Sequence, residues 1–252
     1  MPKDYEIKME ESGLVPILDY LKGFSICTIV FMHLTQTFMP SLPHAVRTLA
    51  SVGGSGVHLF FLCSGIGLYM SYLKRNASCS QFLRRRFSKI YLPYIAVALV
   101  SSFLPWMYKG NDRALALLSH VFLFKMFSPR YEESLGFQLW FISTLIQFYV
   151  LFIPLCRLEK KVGEKRFLAL CFLSSLAWWL FAYFTGLGEQ RIWGSFFLQY
   201  LWEFALGMVI GKALYLGKAF RLIYKHIYML FRNFSGNSGA YGIPFRTAKA
   251  VQ

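Results

Sequence analysis

Apolar and polar positions alternate in long blocks along this chain. Residues 17–38, 55–73, 91–108, 136–156, 166–184 and 193–215 are dominated by apolar side chains, and polar, largely basic stretches separate them. A helix rises about 1.5 Å per residue and bilayer hydrocarbon is about 30 Å thick, so a block of about 20 residues crosses once. The pattern predicts an all-α, polytopic bundle of about six spans, the third being the shortest. Between the third and fourth spans, Ala114–Phe127 is too short and too polar to cross and reads as an interfacial or re-entrant piece. Three regions follow: a polar segment 1–16, a membrane domain 17–216, and a tail 217–252 without periodicity that reads as disordered or frameshifted.

Composition supports the same class. Apolar residues make up 56% of the chain and aromatics 19%, which is too apolar for a soluble domain of this size. The net charge of +15 would suit nucleic acid, but the basic residues sit between apolar blocks, where they set topology. Lys74, Arg75, Arg84, Arg85, Arg86 and Lys89 follow the second span. Arg157, Lys160, Lys161, Lys165 and Arg166 follow the fourth, and Lys218, Arg221 and Lys225 follow the sixth. With six spans all three groups fall on one side, so that side and both termini are expected in the cytoplasm. Membrane lipids are the expected surroundings, and no nucleic-acid partner is expected. The five cysteines show neither metal-site nor CxxC spacing, so no metal centre is expected.

Asp19, Lys22 and His33 interrupt the apolar pattern of the first span, where hydrocarbon is a poor solvent for all three. Lys22 and His33 are eleven residues apart, which is about 20° past three full turns, so they share one face about 16 Å apart along the axis. Asp19, one turn before Lys22, is placed to pair with it. Such a stripe faces protein or a water-filled cavity rather than lipid. A structural hydrogen bond for His33, with Lys22 snorkelling to the headgroups, is the plain alternative. His58, near the outer end of the second span, reads as an interfacial hydrogen-bonding residue. Glu203 in the sixth span is an intramembrane acid, able to orient a catalytic histidine or pair with a buried base. Gly207 and Gly211 form a GxxxG pair expected to pack helices. The run Arg84–Lys89 suits anionic headgroups, phosphates, or both.

Several of these blocks, in this order, resemble the membrane-bound acyltransferase family 3, whose bacterial members O-acylate glycans. The blocks are "LDYLKGFSICTIVFMH", "GVHLFFLCSGIGL", "FLRRRFSKIYLPY" and "LWFISTLIQFYVLFIPL", which together span residues 18–155. The family's first basic residue is usually arginine, where Lys22 stands here. The resemblance implies roughly ten helices, against six predicted, which reads as a C-terminally truncated member. It implies an acyl-coenzyme A co-substrate, usually acetyl-coenzyme A, with no bound cofactor. It also implies a glycan or lipid-linked saccharide acceptor and a multi-pass position in a bacterial inner membrane. On this reading His33 is the general base and Glu203 a second catalytic residue. Lys22, Arg84, Arg85, Arg86 and Lys89 meet the donor phosphates, and Gln138, Trp140 and Gln147 line the acceptor side. A transporter or permease fragment with an ion path through Lys22, His33 and Glu203 remains an alternative from the residues alone, as does an inactive remnant.

Overall fold

A computed structural model describes residues 3–39, 41–75, 79–108 and 110–217. The tail expected from Lys218 onward lies outside the described residues. Among those described, regular structure is helical throughout: α1 (Lys3–Phe38), α2 (His44–Ser51), α3 (Gly56–Arg75), α4 (Cys79–Ser102), α5 (Arg113–Val121), α6 (Trp140–Val162), α7 (Glu164–Phe184), α8 (Arg191–Gly194) and α9 (Leu201–Tyr215). Four stretches are long and apolar enough to cross a membrane: Pro16–Phe38, His44–Lys74, Trp140–Val162 and Glu164–Phe184.

The predicted third and sixth spans take a different form. Helix α4 begins twelve residues ahead of the predicted span, so Arg84–Lys89 form its first half rather than a loop. Arginine, lysine and leucine are good helix formers, and no glycine or proline stands between Cys79 and Pro93. The polar half dilutes the helix's apolar character, and the apolar half ends at Ser102. Helix α9 has 15 residues and is entered through α8 and a 3-10 turn at Phe197–Tyr200. The segment between the third and fourth predicted spans is short, as expected: α5 and a 3-10 turn at Lys125–Phe127.

The centre of the bundle is the α3–α9 pair. Gly207 lies against the backbone of Leu62, Gly211 against that of Ile66, and Gly65 against Phe204 and Met208. Facing residues keep a constant sequence offset, so the two helices run parallel. Small residues permit this approach, as the GxxxG pair led one to expect. Helix α1 runs antiparallel to α3: Gly53 packs on Thr28 and Met32, Gly56 on Ser25 and Thr28, and Leu18 joins Cys63 and Ile66. Helix α6 closes the core with stacked rings, Phe148 on Phe204 at 4.3 Å and Phe152 on Phe82 at 4.9 Å.

At the end of the bundle that carries the basic runs, Glu159 of α6 is 1% exposed. It accepts a hydrogen bond from Tyr69 of α3 at 2.7 Å and one from Lys212 of α9 at 2.6 Å. Lys212 also reaches Glu164 of α7 at 2.9 Å. Four helices are thereby joined through two carboxylates that share the Lys212 ammonium.

At the other end, the 113–136 segment is held by a second buried network. His120 Nδ1 accepts from the Tyr94 hydroxyl at 2.9 Å, and its Nε2–H donates to the Ser134 carbonyl at 3.0 Å. Lys125, fully buried, donates to the carbonyls of Ser134 and Gly136 at 3.2 and 3.1 Å. Burial and the neighbouring Lys125 push the His120 pKa down to about 4. Burial pushes that of Lys125 down to about 7.

Candidate functional site

Lys22 opens into a cavity of about 360 Å³ at the basic end of the bundle. Helices α1, α3, α4 and α6 wall it, with Lys22 and Asp19 from α1, Lys74 from α3, Arg86 and Lys89 from α4, and Tyr149 from α6. The Lys22 ammonium lies beside Gly67, where a Cβ would sit 3.4 Å from Nζ. Asp19 lines the same cavity and lies within electrostatic reach of the Lys22 ammonium. Four cations gather around this one cavity, a lining whose chemistry suits polyanions such as phosphates. The helical form of 82–90 decides which arginines take part. Arg86 and Lys89 point to the cavity, while Arg84 and Arg85 do not line it and lie exposed.

His33 shares the α1 face of Lys22 and is half-buried toward the opposite end. The guanidinium of Arg191, from α8, lies within electrostatic reach of it. From Arg191 a chain of contacts runs inward. Arg191 stands over the Trp140 ring at 5.3 Å, Trp140 stacks on Tyr200 at 6.0 Å, and Tyr200 meets His58 edge-on at 5.3 Å. His58 Nδ1 is 2.6 Å from Glu203 Oε1. The His58 side chain is 48% exposed and that of Glu203 7%.

Glu203 thus orients a histidine, but it is His58 and not His33. The register between α1 and α3 explains why sequence spacing missed this pair. Helix α3 starts low against α1, at Ser25 and Thr28, so His58, though half exposed, lies further along the bundle axis than its place at the start of α3 suggests. By helix rise it is about 10 Å deeper than His33. The residues proposed for the acceptor side separate. Gln147 accepts the Phe197 backbone N–H at 3.1 Å, Trp140 is buried, and Gln138 is exposed near Gly136. Gln147 therefore serves the turn into α9. No His, Cys, Asp or Glu cluster among the described residues has metal-binding geometry.

A helical membrane protein with a cationic cavity at one end and two imidazoles toward the other is the class these features define. A family model described as an acyltransferase domain, acyltransferase 3, matches residues 15–241. The chain belongs to this acyltransferase family, and the match continues well into the segment read from sequence as a tail. No curated protein and no solved structure matches the chain.

Proposed function

We propose that this membrane acyltransferase moves an acyl group, typically acetyl, from acyl-coenzyme A to a hydroxyl of a glycan or lipid-linked saccharide. The observation that carries the reading is the cavity in which Lys22, Lys74, Arg86 and Lys89 meet, on the α1 face that also bears His33. Coenzyme A is a polyanion at one end and a thioester at the other. Its phosphates suit the cations, and its flexible arm suits the roughly 16 Å of helix rise between Lys22 and His33.

His33 acts as general base. Its neutral imidazole takes the proton of the acceptor hydroxyl as the oxygen attacks the acyl carbon. The carbon–sulfur bond then breaks and the proton passes to the leaving thiolate, giving free coenzyme A and the O-acyl product. The basic runs on α4 and around the α6–α7 junction favour a cytoplasmic position for the donor cavity, in a bacterial inner membrane. The alternative ion path through Lys22, His33 and Glu203 loses support, because Glu203 is held by His58 on another face.

The test is transfer from labelled acetyl-coenzyme A in purified membranes. His33→Ala is expected to lower turnover by about 10²–10⁴-fold with little change in donor affinity. Near-normal turnover in that variant would remove His33 from the mechanism.

A further inference from the structure

A second cationic cavity opens where α6 turns into α7. It holds about 570 Å³, and Lys160, Lys165, Arg166 and Lys212 line it together with Glu159 and Glu164. It shares no lining residue with the cavity of Lys22. Both carboxylates are turned onto one cation, since Lys212 lies 2.6 Å from Glu159 and 2.9 Å from Glu164. Lys160 extends over the Tyr72 ring at 5.3 Å, and Lys165 and Arg166 are exposed. Three further cations therefore ring the opening.

A single residue, Gly163, joins the two helices. Its φ of 84° and ψ of 159° fall in a region open essentially to glycine alone. Its N–H donates to the Glu159 carbonyl, and its own carbonyl accepts from the Phe167 N–H, both at 2.9 Å. This one-residue turn brings Lys160 of α6 and Lys165 and Arg166 of α7 round the same opening. The arrangement has an electrostatic cost. Lys165 and Arg166 stand in the first turn of α7, where the helix dipole is positive and disfavours cations. An anion seated among them offsets that cost.

The depth of the cavity decides which anion. Trp140–Val162 and Glu164–Phe184 are both long and apolar enough to cross a membrane, so Gly163 between them stands at the level of the headgroups. Lipid phosphates lie at that level, and basic pockets between membrane helices suit anionic headgroups. We propose that this cavity binds the phosphate of an anionic phospholipid, an assignment that does not depend on the acyl-transfer reading. Arg166 offers the phosphate a forked pair of hydrogen bonds, and Lys160 and Lys165 add point charges.

The experiment measures binding of fluorescent phosphatidylglycerol and phosphatidylcholine to the full-length protein in a nonionic detergent. The wild type is expected to bind phosphatidylglycerol about tenfold or more tightly than phosphatidylcholine. Lys165→Gln combined with Arg166→Gln should remove that preference, and each single variant should give part of the loss. Arg157→Gln combined with Lys161→Gln takes the same charge from the same basic run, at residues that do not line the cavity. That pair should leave affinity within about twofold, because exposed charges are screened. A wild-type Tm in both double variants reports that they are folded. Inorganic phosphate and coenzyme A, each in excess over the lipid, should displace little of it. Equal losses in the two double variants would reduce the site to diffuse surface charge and overturn the proposal, as would a wild type without lipid preference. Full displacement by inorganic phosphate would assign the cavity to the free ion, and by coenzyme A to the donor; either overturns the lipid assignment.

Discussion

Gly207 of α9 rests directly on the backbone carbonyl of Leu62 in α3, with no side chain between them. A Cβ at position 207 would collide with that carbonyl, and a carbonyl held in a helix cannot rotate away. Gly207→Ala is therefore expected to destabilise the protein by about 1–3 kcal/mol, the usual cost of overpacking. Gly23→Ala is the control: a Cβ there meets nothing within 4 Å, and alanine favours helix. Thermal unfolding in detergent should show a lowered Tm for the first and an unchanged or raised Tm for the second. An unchanged Tm in Gly207→Ala would argue against this close approach.

Glu159 offers a second stability test at the other end of the same pair. It joins Tyr69 and Lys212 while almost fully buried. Glu159→Gln keeps the shape and removes the charge. Lys212 retains Glu164, so the expected loss is modest, about 1–3 kcal/mol. Denaturant midpoints for the two proteins would measure it.

The cationic cavity separates arginines that look alike in the sequence. Arg86 lines it, and Arg84 and Arg85 do not. Arg86→Gln should weaken coenzyme A binding by about tenfold, the scale of one charge-assisted contact. The double variant Arg84→Gln, Arg85→Gln should stay within about twofold at physiological salt, because exposed charges are screened. Equilibrium binding of labelled coenzyme A decides between them, and equal losses would return all three arginines to one role.

Acid should loosen the 113–136 segment. His120 has a folded pKa of about 4 against an ordinary value of 6.5, so the unfolded chain binds the extra proton first. Its contribution is intact above pH 6.5 and is lost as pH falls from 6.5 toward 4. Lys125, lowered from 10.5 to about 7, acts in a higher window. There stability should rise as pH climbs from 7 to 10.5. Tm measured at pH 7 and pH 5 should fall in the wild type and fall less in His120→Gln. A wild-type Tm independent of pH between those values would contradict the buried, neutral imidazole.

Much of this arrangement was legible in the sequence. The apolar blocks announced a helical membrane bundle, and the eleven-residue spacing put Lys22 and His33 on one face. The GxxxG of Gly207 and Gly211 announced a close helix contact. What the sequence hid depends on register between helices distant in the chain. Glu203 meets His58 only because α3 starts deep against α1 and runs parallel to α9, and no local pattern encodes either offset. Glu159 was concealed among the lysines that follow α6, where an acid looks like ordinary surface charge. The basic run after the second span was read as a loop because its charges set topology. Its helix-forming residues carry it into α4 instead, and that helical phase sorts Arg86 from Arg84 and Arg85.

The parallel α3–α9 pair is tied at its two ends, by His58 with Glu203 and by the Glu159 bridge between Tyr69 and Lys212, with glycine contacts between. A seam fastened this way cannot slip by a turn without breaking both ties. It behaves as a gauge of fixed length. From Gly67, where the Lys22 ammonium sits, to His58 it measures about 13 Å of helix rise. On the acyl-transfer reading, α1 packed along this gauge sets about 16 Å of rise between Lys22 and His33, and the donor has to carry its reactive carbon on an arm of that reach. On this view the enzyme selects its donor by reach as much as by charge, and a shortened pantetheine arm would bind and yet fail to deliver.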